Sequence, residues 1–210
     1  TWGFQSKIAM VWISGYLYWN SPVIILFKYV DPVYAGKFGL AFSLLNAINQ
    51  AGQAWVTTKR ARIGSLNSMG EYKAARRIFD KSSLVSLVVV ATGVLLVLGF
   101  KYALEDLSVF SRMLHIEQLA IMGMFFILLS RQSNLATYTR CFKNEPLFHI
   151  FILLNFSVPI ILIGSNIFDA VYLGLMLTAL IHIPVALMIE RKVFKFERSY
   201  SRLKATGKAL

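Results

Sequence analysis

Cysteine is nearly absent, and the single Cys141 excludes an intrachain disulfide. Acidic residues are also scarce, at 10 Asp and Glu in 210 residues, and most lie where helices meet, as do Asp31, Glu71, Asp80, Glu105, Asp106 and Glu117. The chain has no pair of membrane-embedded carboxylates, no metal-ligand spacing, no glycine-rich nucleotide loop and no convincing Ser-His-Asp set, so neither enzyme chemistry nor a cofactor is expected. The opening lacks the basic leader, short apolar run and cleavage site of a signal peptide. Because it starts at Thr1 inside an amphipathic stretch, an N-terminal part is expected to be missing.

What the chain does have is apolar length. Hydrophobic residues make up 57% and charged ones only 15%, and the mean hydropathy is +0.60, well above a soluble domain. A helix needs about 20 mainly apolar residues to cross a hydrocarbon core of roughly 30 Å. Hydropathy predicts six spans: about Gln5 to Phe27, Pro32 to Thr57, Leu84 to Ala103, Glu117 to Tyr138, Pro146 to Ile167 and Asp169 to Ile189. The expected fold class is all-α, a polytopic membrane protein whose residues 1–210 form a single bundle of six transmembrane helices. Residues 59–82 are expected to form an amphipathic connection on the cytoplasmic membrane surface, and residues 190–210 a basic cytoplasmic tail.

The formal charge of +12 raises the question of nucleic acid. The cations sit between apolar spans, so they read as topology signals and contacts to anionic lipid head groups, and no nucleic acid partner is expected. Eighteen of the 22 Lys and Arg fall on one side of the predicted spans, leaving only Lys28, Lys37, Lys101 and Arg112 on the other. The positive side stays in the cytoplasm, which predicts that both ends of the chain are cytoplasmic.

Polar residues at membrane depth are the candidate functional set. In the second span Ser43, Asn46, Asn49, Gln50, Gln53 and Thr57 recur at helical spacing and share one face, which reads as a cavity wall, the bland alternative being interhelical hydrogen bonds. The first span is interrupted by Ser14, Gly15, Tyr18, Asn20, Ser21 and Pro22, which fits either a moving gate or a plain kink. Arg131 lies nine residues before Arg140, about 13 Å deeper in a helix. Asn134 and Tyr138 continue its face toward the cytoplasm. A guanidinium at that depth faces water, is paired or snorkels, and its planar fork suits a phosphate. Lys7 stands at the cytoplasmic mouth as a second cation or an interface anchor. His182, with no carboxylate within a turn, reads as a packing histidine ahead of a proton relay.

Four strings also resemble a known family. Residues 2–16 (WGFQSKIAMVWISGY), 35–40 (AGKFGL), 54–59 (AWVTTK) and 138–146 (YTRCFKNEP) are similar, in this order, to the second half of bacterial polysaccharide flippases. These belong to the superfamily of multidrug, oligosaccharidyl-lipid and polysaccharide exporters. The chain departs at Lys59-Arg60-Ala61, where such proteins usually read Lys-x-Pro, which puts the local turn in doubt.

The resemblance implies a multi-pass protein of the bacterial cytoplasmic membrane, one of two six-helix bundles around a central cavity, that turns over a lipid-linked oligosaccharide for O-antigen (lipopolysaccharide) or capsule assembly. It implies as partners that substrate, membrane lipids, the missing N-terminal six-helix half, and polysaccharide polymerase and assembly proteins. On this reading Arg131 and Lys7 meet the anionic head, the amides Asn46, Asn49, Gln50, Gln53 and Asn134 bind sugar hydroxyls, and Tyr138, Tyr18 or Trp55 stacks on sugar rings. Two rivals stay open: a cation-coupled exporter of small amphipathic molecules, which favours an acidic cavity, and a structural or assembly subunit whose polar stripe only packs helices.

Overall fold

In a computed structural model the described residues of the chain form six helices. The structure describes residues 2–104, 112–167 and 171–205, with side-chain surroundings for all of these except 166, 167, 171 and 201–205. The helices are α1 Trp2–Tyr29, α2 Pro32–Met69, α3 Tyr72–Ala103, α4 Ile116–Arg140, α5 Phe148–Ile167 and α6 Val171–Ala205. The expected start of the last span at Asp169, the acids Glu105 and Asp106, and Lys208 in the tail lie outside the described residues.

The start and stop of α2 follow from its flanking residues. Asp31 is extended and its carboxylate accepts the Tyr34 amide at 2.9 Å, while Pro32 occupies the first turn, where a missing N–H costs nothing. At the other end Gly70 takes a left-handed φ of 85°, and Glu71 N–H returns to Leu66 O at 2.9 Å. Gly70 therefore turns α2 back against α3 as a hairpin.

This hairpin corrects the expected surface connection. Residues 59–82 are the last turns of α2 and the first of α3, and form no separate helix of their own. Ala61, which does not break the helix as proline would, lets α2 run on. The apolar stripe of the segment, Ile63, Ala75 and Phe79, is buried against Tyr138, Phe142 and Ile189, so it meets protein. The expected basic tail is likewise helical as far as Ala205. Ile189 and Val193 are buried in the same cluster, and Phe196 and Tyr200 pack on Phe142 with ring centres at 5.6 and 5.0 Å.

Successive helices alternate in direction, which gathers the Gly70 turn, Cys141 and the continuation of α6 at one end of the bundle and Asp31 and Ile116 at the other. A second core of Leu26, Phe38, Leu45, Val94, Leu119 and Phe126 fills the Asp31 end. Along the seam of α2 and α3 the backbones come close: a Cβ at Gly52 would lie 2.9 Å from the Ser86 carbonyl oxygen. Helix α1 runs unbroken through the buried Pro22 and packs along α5, where Asn155 Nδ2 donates to Ser14 Oγ at 2.8 Å and to Val11 O at 3.2 Å.

Five of the six helices are long and apolar enough to cross a membrane. Their outward faces carry Ile13, Leu84, Leu95, Leu153, Ile160 and Leu173, all more than half exposed, as a surface in contact with lipid requires. The helix left out is α2, the longest at 38 residues, because its polar stripe and basic last third lower its hydropathy.

Candidate functional site

The polar stripe of α2 lies on the outside of the bundle. Ser43, Gln50 and Thr57 are exposed and Asn46 and Gln53 half-buried, whereas Asn49 is 1% exposed. The difference is rotational: neighbours on a helix are about 100° apart, so Asn49 turns inward while Gln50 faces out. Alongside, α1 contributes Trp19 and Asn20, and together with Ser43, Asn46 and Gln50 they line an open groove of about 670 Å³. Among the described residues the side chains of Ser43, Asn46, Gln50 and Gln53 form no hydrogen bond. Ser43, Asn46 and Gln50 thus present unpartnered donors and acceptors to the groove.

Arg131 lies elsewhere. Its Nε donates to Glu190 Oε1 at 2.8 Å and its Nη1 to Ser83 Oγ at 3.0 Å. The two charged side chains are 25% and 33% exposed. One turn on, Asn134 Nδ2 donates to Ser86 Oγ at 3.0 Å. Another turn on, the Tyr138 hydroxyl donates to Glu197 Oε1 at 3.0 Å, and its ring stacks on Phe79 at 4.4 Å. Arg76 completes this layer, with Nη1 at 2.8 Å from Glu197 and Nε at 2.9 Å from Asp80. The face of α4 that runs through Arg131, Asn134 and Tyr138 thus joins α3 and α6.

The expected single cavity wall is therefore divided. Asn46 and Gln50 line the groove, and Gln53 lies just beyond it on the same open side. Asn49 and Asn134 are buried at helix contacts, Tyr138 is fully buried, and Arg131 is received by a carboxylate and a hydroxyl, not by an empty passage. Lys7 is exposed near the start of α1, apart from both groups. Of the aromatic residues expected to stack on sugars, Tyr18 and Tyr138 are buried and Trp55 is half-exposed outside the groove. Trp19 lines the groove instead, and its place beside Asn20 in the polar interruption of the first span is the signal that points to it.

Hydropathy ends the last span at Ile189, one residue short of Glu190. Its signal was present: Glu190 and Glu197 are seven residues apart, on one face of a helix, and so could meet two arginines in successive layers.

At the centre of the bundle His182 is completely buried and fully partnered. Gln132 Nε2 donates to the His182 carbonyl at 3.0 Å, which orients its Oε1 toward His182 Nδ1 at 3.1 Å. An amide oxygen only accepts, so Nδ1 carries the ring proton and Nε2 accepts from the Tyr18 hydroxyl at 2.8 Å. This arrangement ties α1, α4 and α6 together and matches the packing histidine expected.

Cys141 follows α4, half-buried, with Sγ at 3.3 Å from Thr137 O. Burial pushes its thiol pKa up, with nearby Arg60 pulling the other way. Among the described residues no group of three or more His, Cys, Asp or Glu is placed to hold a metal ion.

Neither a scan against protein-family models nor searches of the curated proteins and of the solved structures find a match to this chain.

Proposed function

We propose that this chain is one six-helix half of a transporter that moves a lipid-linked oligosaccharide across the bacterial cytoplasmic membrane, and that the α1–α2 groove is one wall of the passage. The observation that carries the proposal is the outward, unpartnered polar face of Ser43, Asn46 and Gln50 beside Asn20. An amide left without partners in hydrocarbon costs several kcal/mol, so this face meets water, substrate or a second bundle. Sugar hydroxyls donate and accept, as amides do. Trp19 adds an apolar ring surface of the kind sugar faces pack on.

The substrate class rests on the four strings that resemble the second half of polysaccharide flippases. In this reading no bond is made or broken. Two bundles rock against each other and expose the passage to each side in turn. The excess of Lys and Arg around the Gly70 turn supports a cytoplasmic position for that end and, on this reading, for both chain ends. Arg131 keeps its partner Glu190 and holds the bundle together, so the sugar part of the substrate supplies most of its contacts to this half.

The test uses cells whose surface polysaccharide depends on the full-length gene. Replacing both Asn46→Leu and Gln50→Leu is expected to abolish surface polysaccharide while the protein stays in the membrane at its usual level. Normal polysaccharide in that variant overturns the proposal.

A further inference from the structure

Away from the groove, at the Asp31 end of the bundle, a partly open cavity of about 100 Å³ lies between α1, α2, α4, α5 and α6. Its walls are rings and apolar chains, among them Phe38 and Phe42 of α2, Phe125 of α4, Val158 of α5 and Leu175 of α6. The volume is comparable with the roughly 150 Å³ in which a buried apolar cavity of another protein holds benzene.

One wall atom breaks the pattern. Gln118, in the first turn of α4, lines the cavity, and its Oε1 is sealed from solvent and accepts no hydrogen bond among the described residues. A buried carbonyl without a partner costs about 1–3 kcal/mol, so the site lacks a donor. The cavity's own hydroxyls do not provide one. Tyr18 gives its proton to His182 Nε2 at 2.8 Å, and Thr178 Oγ gives its proton to Leu175 O at 2.7 Å. The rings of Tyr34 and Tyr172 meet edge to face at 5.2 Å, and neither hydroxyl bonds Gln118.

Water fits this site poorly. It needs two to four polar partners, and beside the one unpartnered carbonyl the walls are apolar apart from Tyr34, Tyr172, Tyr18 and Thr178, the last two already donating to His182 and Leu175. A ligand that satisfies both features has an apolar body and a single donor. Its way in is beside α6, where Tyr172 and Met176 are about half exposed on the lipid-facing side.

We propose that this cavity is a binding site for an apolar alcohol, an aromatic or alkyl body whose one hydroxyl donates to Gln118 Oε1. The site is separate from the α1–α2 groove, and the proposal does not depend on the transport reading.

The experiment titrates the full-length protein in lipid nanodiscs with 4-fluorophenol and with fluorobenzene, following saturable binding by fluorine NMR against protein-free nanodiscs. Wild type is expected to bind 4-fluorophenol saturably. In Gln118→Leu the ratio of the 4-fluorophenol to the fluorobenzene affinity is expected to fall about tenfold, the order of one neutral hydrogen bond. Retained fluorobenzene binding in that variant shows that the cavity is intact, and Gln118→Met provides a second variant of similar size. An unchanged ratio in either variant overturns the proposal. So does the absence of saturable 4-fluorophenol binding to wild type, the result of a cavity that holds only water.

Discussion

Arg131 Nε stands 2.8 Å from Glu190 Oε1, and this pair, with its side chains 25% and 33% exposed, bolts α4 to α6. Removing one partner strands the other charge at low dielectric, while partial exposure softens the cost. Arg131→Ala is expected to destabilise the protein by about 1–2 kcal/mol. The double change Arg131→Gln with Glu190→Gln is expected to recover at least half of that loss. Thermal unfolding in nanodiscs measures both, and additive losses would show that the two side chains do not act as a pair.

Tyr18 and His182 make a sharper case because both are buried. Tyr18→Phe deletes only the hydroxyl and leaves His182 Nε2 as an acceptor without a donor. The expected cost is about 1–3 kcal/mol. In a His182→Leu background the same change is expected to cost much less, since nothing is then left unpaired. An equal cost in both backgrounds would contradict the hydrogen-bond assignment.

The all-helical membrane class was legible in the sequence because apolar runs as long as five of the described helices report themselves, and the Asp31-Pro32 start of α2 is local chemistry. The Gly70 hairpin was missed for a physical reason. An amphipathic stripe such as Ile63, Ala75 and Phe79 has the same spacing whether it lies on lipid or on Tyr138 and Ile189. Spacing also groups Asn49 with Gln50, although a rotation of about 100° sends one inward and the other out. Arg131 was recognised as exceptional, yet its partner lay beyond the apolar run that defined the last span. Which face of a helix finds a partner depends on the other five helices, and no single segment contains that information.

Cys141 offers a test at the end of α4. Its raised pKa keeps the thiol protonated at neutral pH, and the thiolate is the reacting form. Alkylation by iodoacetamide at pH 7 is expected to be slower than that of a free cysteine peptide, and to accelerate with pH beyond the point where the peptide has levelled off. A rate that matches the peptide at every pH would mean that the thiol is not shielded. It is the only cysteine of this chain, and a Cys141→Ala variant of the full-length protein identifies its share of the labelling.

The claim on which the transport reading stands is that the outward face of α2 meets water. Single cysteines at Asn46, Gln50, Asn49 and Leu95, each in a Cys141→Ala background of the full-length protein in native membranes, measure this directly with a charged thiol reagent that does not enter lipid. Asn46 and Gln50 line the groove, Asn49 is buried against neighbouring helices, and Leu95 is 68% exposed on an apolar face. The account predicts rapid modification at Asn46 and Gln50 and none at Asn49 or Leu95. Asn46 and Gln50 as unreactive as Leu95 would contradict it.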